Sequence, residues 1–251
     1  MKTNISARLA SRASSRLFEV RADASSVGNI EVFLYDVIDA DWGVGARQFV
    51  DAITGATGAI SLHINSPGGD VFEARTMVSA LQAARARGVK VTTYIDGLAA
   101  SAASYVALAA DEVVMSEGAL MMIHCAWAMT VGNSNDMLAM ADLLDKIDQT
   151  IAADYSKKSG KPVDEMLKLM EFETWLDANE ATDLGLCDRI ASAPAATTNN
   201  QWDLSAYKRA PVLAQDTPAT PDPDPEVIEP STESAAYAHA RRVLDHFERI
   251  G

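Results

Sequence analysis

Hydrophobic and polar positions follow two alternating periods along the first 190 residues. Short apolar runs rich in β-branched residues begin near Ile30, Ile60 and Val91. The stretches between them carry apolar residues three and four positions apart, which is the spacing of a helix face. Strands that alternate with helices indicate parallel strands joined by crossover helices. The pattern therefore predicts an α/β fold.

A long helix is predicted from about Asn135 to Ser159. Its apolar positions are Met137, Met140, Leu144, Ile147 and Ile151. They repeat at intervals of three and four and form a narrow stripe. Two interpretations remain open from the pattern alone, because such a stripe can pair with another helix or cover the protein's own sheet.

Composition divides the chain into four segments. Residues 1–29 are a basic, flexible N-terminal arm, and residues 30–192 form the main domain. Residues 193–232 are an acidic, proline-rich linker, which we expect to be disordered because it buries too little apolar surface. Residues 233–251 have the composition of a C-terminal docking helix.

The N-terminal arm allows two interpretations. Arg8, Arg12 and Arg16 are spaced by four, and no acidic residue precedes Glu19. This pattern resembles an organellar transit peptide. A basic arm that packs on an acidic partner accounts for it equally well.

Charge and cysteine content exclude several functions. A formal net charge of -14 argues against a nucleic-acid partner. Two cysteines and four scattered histidines predict neither a disulfide framework nor a metal site, and we expect no cofactor. The apolar stretch from Gly97 to Ala110 is too short to span a bilayer, and no signal peptide is evident. We therefore expect a cytoplasmic protein without a membrane partner.

The stretch "HINSPGGDVFEA" predicts a strand, a tight turn and the start of a helix near Val71. Glycine permits the close approach of a ligand oxygen, so the Gly69 N–H group can stabilise a developing negative charge. A purely structural turn is the alternative.

The stretch "DGLAASAASYVALAAD" repeats this arrangement, with Ser101 at the start of a small-residue helix. A hydroxyl at that point is exposed, and the Ala102 N–H group is free to donate. Ser101 is therefore a candidate nucleophile, although a simple helix cap explains it as well. Ser104, one turn later, is the rival serine.

A nucleophilic serine requires a base and a group that orients the base. His124 is the best-placed histidine, because His63 lies within a strand and the other two follow the linker. The sequence "EFETWLDANEA" offers carboxylates as orienting groups, namely Glu171, Glu173 and Asp177.

The order of these motifs resembles the Clp-type serine peptidases, and most closely their phage branch, the head-maturation or prohead proteases. The motifs are "INSPGGDV", "GLAASAAS", "MIHCAW" and "ETWLDANEATDLGLCD". The resemblance covers residues 30–190 and implies a Clp/crotonase-like fold of stacked strand-strand-helix units with a protruding strand-helix handle.

The resemblance implies roles for five residues. Ser101 matches the nucleophile and His124 the general base, while Gly69 and Ala102 match the amides of the oxyanion hole. Glu173 stands where the family has aspartate. This departure leaves Glu171 and Asp177 as other candidates for the third role.

The implied function is a serine endopeptidase that cleaves capsid or scaffold proteins during phage head maturation. A basic arm replaces the apolar loops with which cellular members meet their ATPase, so we expect independence from ATP. The resemblance also implies a homo-oligomer, in which the long helix joins subunits, and exposed tail segments make self-cleavage between Pro194 and Glu233 an expectation. A crotonase-like acyl-CoA enzyme and a catalytically inactive capsid-assembly scaffold are the alternatives.

Overall fold

The computed structural model describes residues 18–22, 27–194 and 202–211. Eight strands form one sheet in these ranges. They are β1 (Phe18–Ala22), β2 (Ile30–Leu34), β3 (Ile60–Ser66), β4 (Val91–Ala100), β5 (Glu112–Glu117), β6 (Leu120–Ile123), β7 (Thr174–Leu176) and β8 (Arg189–Pro194). Six helices are described with them: α1 (Ala46–Thr54), α2 (Val71–Ala86), α3 (Ala102–Ala107), α4 (Ser134–Ser159), α5 (Val163–Glu171) and α6 (Ala178–Leu184).

The main path of the sheet runs in the order β1-β2-β3-β4-β5-β8. Every pair from β2 to β8 along this path is parallel, whereas β1 is antiparallel to β2. The helical crossovers cover the apolar faces of these strands, as the alternating periods predict. The α/β fold class is confirmed.

Strand β4 divides its pairing between two neighbours. Its first half pairs with β5 through Thr92–Ile95, and its last residues, Leu98–Ala100, pair with β6. Strand β6 also pairs with β7 in antiparallel register. This fork places the carboxyl end of β4 beside the carboxyl end of β6, where Ser101 and His124 follow.

Capping residues determine where the principal helices begin. Asp70 accepts from the Phe72 and Glu73 amides at the start of α2. Asn133 and Asp136 form a capping box on α4, and Gly160 ends that helix in the left-handed region. The long helix predicted from about Asn135 to Ser159 is confirmed.

The predicted handle contains this helix without the predicted strand. Residues 124–133 pair with no strand in the part of the chain that the structure describes. A strand requires a neighbour to complete its backbone hydrogen bonds. In the single chain the handle is therefore helix α4 with an unpaired segment before it.

Two boundaries predicted from composition also differ from the structure. Residues Phe18–Ala22, assigned to the flexible arm, form β1, whose Phe18 ring packs 6.3 Å from the Phe49 ring. Residues 202–211, assigned to the disordered linker, pack on the domain through Leu204 and Tyr207. Apolar side chains within each segment account for its order. The other parts of the arm and linker, and the C-terminal helix, lie outside the described residues.

No helix within the described ranges is both long and apolar enough to cross a membrane.

Candidate active site

Ser101 lies at the bend between β4 and α3 in a strained backbone conformation. Its φ and ψ are 55° and -125°, and its side chain makes no capping hydrogen bond. The simple helix-cap interpretation of Ser101 is therefore wrong. Among the described non-glycine residues, only Ser101 and Glu173 have positive φ. Such strain costs about 1–3 kcal/mol per residue and concentrates at functional sites.

His124 lies within hydrogen-bonding distance of this serine. Its Nε2 atom is 2.7 Å from Ser101 Oγ. The Ser101 backbone N–H group donates to the Met122 carbonyl at 2.9 Å, which ties the start of α3 to β6, the strand that immediately precedes His124. The pair is thus held by the sheet, and the geometry suits transfer of the serine proton to the imidazole.

The other nucleophile and base candidates are engaged elsewhere. Ser104 is fully buried, where its Oγ donates to the Ser101 carbonyl and lies 2.9 Å from the Tyr155 hydroxyl. His63 Nδ1 lies 2.8 Å from Asp96 Oδ2, and its ring stacks between Phe33 and Tyr94. Burial raises the pKa of the Cys125 thiol to about 12, which disfavours a thiolate.

Gly69 and Ala102 line the same cleft as Ser101. Within the described residues, neither the Gly69 nor the Ala102 N–H group makes a backbone or side-chain hydrogen bond. Gly68 allows their approach, because a Cβ atom there would lie 2.9 Å from both Ala102 N and Ser101 Cβ. The arrangement leaves two donors available for an oxyanion.

Glu173 is buried near His124, but its hydrogen bonds lead in another direction. Its carboxylate accepts from the backbone N–H groups of Lys208 at 2.8 Å and Arg209 at 2.6 Å, and from Trp175 Nε1 at 3.3 Å. None of its hydrogen bonds within the described residues goes to His124. The other two candidate acids are parts of helix ends. Asp177 caps the start of α6, and Glu171 is the last residue of α5.

Burial dominates the electrostatics of the histidine. Desolvation lowers the pKa of His124 to about 4, while the negative charge of Glu173 acts in the opposite direction. The imidazole is therefore neutral at pH 7, as a general base must be. The Glu173 charge also favours the imidazolium that proton transfer creates.

The pH profile follows from this depressed pKa. Because the base acts in its neutral form, hydrolysis should be present above the pKa and lost as the pH falls through it. We expect kcat/KM for a peptide substrate to be flat between pH 5.5 and 8 and to fall by half near pH 4. The peptide should carry no group that titrates over this whole interval. An acid limb near 6.5, the ordinary histidine value, would contradict this assignment.

A cleft of about 780 Å³ opens in front of the pair. Its polar end contains Gly69, Ser101, His124 and Tyr207. Its walls are largely apolar and include Phe72, Trp127, Met129, Val131, Met140, Leu143, Leu144 and Ile147. The Ala126 N–H group donates to Asp148 Oδ1 at 2.7 Å, which ties the segment after His124 to α4. The cleft suits an extended chain that carries apolar side chains.

Sequence reasoning did not find Tyr207. Its ring lies edge-on to the His124 ring at a centroid distance of 5.3 Å. The tyrosine falls within residues 193–232, which were assigned as a whole to a disordered linker. Trp202, Leu204 and Tyr207 precede the proline- and acid-rich stretch. A linker that starts at Pro211 would have left these three residues in the folded domain.

The fold and the pair together define an α/β protein with a serine–histidine site at the carboxyl ends of two strands. Residues 33–194, well over half of the chain, match the family model for Clp protease. The chain belongs to the Clp protease family.

Curated relatives and a solved structure agree with this assignment. An ATP-dependent Clp protease proteolytic subunit from Pleurastrum terricola is 27% identical over 133 residues, which cover 52% of this chain and 66% of the relative. The corresponding subunit from Porphyromonas gingivalis is 29% identical over 133 residues, covering 52% and 59%. Proteolytic subunit 3 from Rhizobium meliloti is 27% identical over 167 residues, covering 65% and 84%.

A ClpP1 mutant from Listeria monocytogenes superimposes with a TM-score of 0.57 at 21% identity. The match covers 65% of this chain and 91% of the other. This likeness shows a common fold, in agreement with the Clp/crotonase-like architecture.

Proposed function

We propose that this protein is a serine endopeptidase. The observation that carries the proposal is the 2.7 Å contact between His124 Nε2 and Ser101 Oγ at the polar end of an apolar cleft. Membership of the Clp protease family supports it. A crotonase-like acyl-CoA enzyme has no use for such a pair, so this contact favours the peptidase.

In the proposed reaction, His124 Nε2 removes the proton of Ser101 as its Oγ attacks the carbonyl carbon of a peptide bond. The Gly69 and Ala102 N–H groups receive the oxyanion. The imidazolium then donates its proton to the leaving amine, and the C–N bond breaks. Water hydrolyses the acyl-enzyme with His124 again as base, and Glu173 stabilises the imidazolium by its charge.

We propose that the enzyme works as a homo-oligomer. Large apolar side chains are exposed before and along α4, including Trp127, Met129, Val131, Met137, Leu138 and Leu143. Burial of such a surface between subunits removes apolar area from water. These exposed side chains support subunit pairing, whereas Ile147 and Ile151 of the stripe are buried in the domain's own core.

The substrates and setting rest on the resemblance of the sequence motifs to phage head-maturation proteases. We propose that capsid or scaffold proteins are cleaved in the cytoplasm of a bacterial host or inside an assembling procapsid, and that the reaction requires no ATP.

The direct test is hydrolysis of β-casein, an unfolded protein, by the purified and assembled chain. We expect fragments to accumulate equally with and without ATP, and the Ser101→Ala variant to produce none. If the assembled wild type leaves casein intact and Ser101 does not react with a fluorophosphonate, the inactive-scaffold alternative is correct. Turnover of an acyl-CoA thioester that survives Ser101→Ala would instead support the crotonase alternative.

Self-cleavage is expected in the tail. Residues 202–211 pack on the domain, so we expect the bonds within that stretch to be protected. We expect the wild type to lose a C-terminal fragment during incubation, with the new end between Pro194 and Glu233 and outside residues 202–211. Intact mass measured over time checks this, with Ser101→Ala as the control. Trimming of both proteins at the same rate would show that a contaminating protease is responsible.

A further inference from the structure

Residues 202–211, called the strap here, form a small apolar cluster with the sheet. Leu204 and Tyr207 are its buried members from the strap. The domain side consists of Leu98, Ala100 and Met122 from the sheet and Val37 from the loop after β2. Since Ala100 immediately precedes Ser101, the strap packs against the base of the site.

Tyr207 joins three parts of this site. Its hydroxyl donates to the Pro67 carbonyl in the Gly-Gly turn. One side of its ring meets the His124 ring edge-on, and Trp175 lies on another side at a centroid distance of 6.0 Å. Tyr207 is only 7% exposed, so this contact is shielded from water.

The bond to Pro67 completes the immobilisation of the turn. The Gly68 N–H group donates to Ser66 Oγ at 3.1 Å, and the Gly68 carbonyl accepts from the Ile38 N–H group at 2.8 Å. Tyr207 holds the Pro67 carbonyl. The Gly69 N–H group shares its peptide plane with the Gly68 carbonyl, so these bonds also fix the amide of Gly69, a residue that lines the cleft. Preorganised donors of this kind stabilise a transition state because they need no reorientation.

Glu173 clamps the strap directly after the tyrosine. Its carboxylate accepts from two consecutive backbone amides, those of Lys208 and Arg209. Arg209 Nη1 also donates to the Phe172 carbonyl at 3.3 Å. Hydrogen bonds to a charged, buried acceptor are stronger than neutral ones. The position of Tyr207 thus depends on this carboxylate.

We propose that Tyr207 is a positioning residue of the hydrolytic site, which fixes the Gly-Gly turn and the His124 ring, and that Glu173 holds Tyr207 in place through the strap. This inference rests on the proposed peptidase function. It gives Glu173 a second role, which explains why its hydrogen bonds lead to the strap.

The test removes the hydroxyl and keeps the ring. We expect Tyr207→Phe to lower kcat for peptide hydrolysis about tenfold, the order of one hydrogen bond, with KM nearly unchanged. Tyr207→Ala, which also frees the His124 ring, should lower kcat further. Tyr94→Phe is the matched control, because Tyr94 stacks on His63, and it should retain wild-type kcat.

A second pair of variants tests the clamp. Lys208→Pro removes an amide that donates to Glu173, whereas Lys208→Ala keeps it. We expect Lys208→Pro to lower kcat about as much as Tyr207→Phe and Lys208→Ala to leave it unchanged. Thermal unfolding should show that each variant is folded at the assay temperature.

The outcomes separate this inference from the proposed function. If the assembled wild type neither hydrolyses peptide nor reacts with a fluorophosphonate, the peptidase function fails and the positioning role falls with it. If wild type is active and Tyr207→Phe has equal kcat, the positioning role alone is overturned. A higher kcat in Tyr207→Phe or Lys208→Pro would also overturn it, since the strap would then be inhibitory.

Discussion

Replacement of His124 by alanine should lower kcat for peptide hydrolysis by about 10⁴- to 10⁶-fold. Without the imidazole, 2.7 Å from Ser101 Oγ, no group in the described part of the site takes the serine proton as the hydroxyl attacks. The measurement is steady-state hydrolysis of a fluorogenic peptide by the assembled protein. The residual rate should reflect binding and the oxyanion donors alone.

The combination with Ser101→Ala gives this prediction its control. Because the two residues act as a unit, the double variant should be nearly as active as either single variant. Additive losses in the double variant would contradict the Ser–His mechanism. His63→Ala is the matched histidine control, since His63 pairs with Asp96 and should be dispensable for hydrolysis.

Replacement of Gly69 by alanine should lower kcat about 100- to 1000-fold, the loss typical of one oxyanion donor. Gly69 has a φ of 147°, and a Cβ atom there would lie 2.1 Å from the Ile38 carbonyl oxygen. Relief of this clash requires the turn to move, which displaces the Gly69 N–H group. The same assay measures the loss.

Gly55→Ala is the control for this substitution. Gly55 has an ordinary φ of -87°, and a Cβ atom there would meet nothing within 4 Å. The activity of the Gly55→Ala variant should equal that of the wild type. Full activity of a folded Gly69→Ala variant would show that the turn is structural and that another group receives the oxyanion.

The sequence patterns predicted the framework because each depends on local physics. Apolar runs that alternate with helical spacing predicted the parallel sheet, and the spacing from Met137 to Ile151 predicted α4. Ser101 was predicted from its place at the start of a small-residue helix after a strand, and His124 from its place after an apolar run and the poor placement of the other three histidines. The separation of Ser101 and His124, 23 residues along the chain, becomes 2.7 Å only through the pairing of β4 with β6.

The strap was missed because its order depends on tertiary contacts. Trp202, Leu204 and Tyr207 lie in a short segment next to the proline-rich stretch, where averaged composition predicts disorder. Their packing requires apolar side chains of β4 and β6 that are distant in sequence, which no local pattern encodes. The hydrogen bonds of Glu173 were hidden for the same reason, since its partners lie 35 and 36 residues later.

Covalent labelling shows directly whether Ser101 is the nucleophile. The assembled wild type would be treated with a fluorophosphonate, and its intact mass and modified peptide would be measured beside Ser101→Ala and Ser104→Ala. We expect one adduct per chain on Ser101 in the wild type and in Ser104→Ala, and none in Ser101→Ala. Unlabelled wild type in a sample confirmed as assembled, or an adduct that persists in Ser101→Ala, would contradict the assignment of Ser101 as the nucleophile.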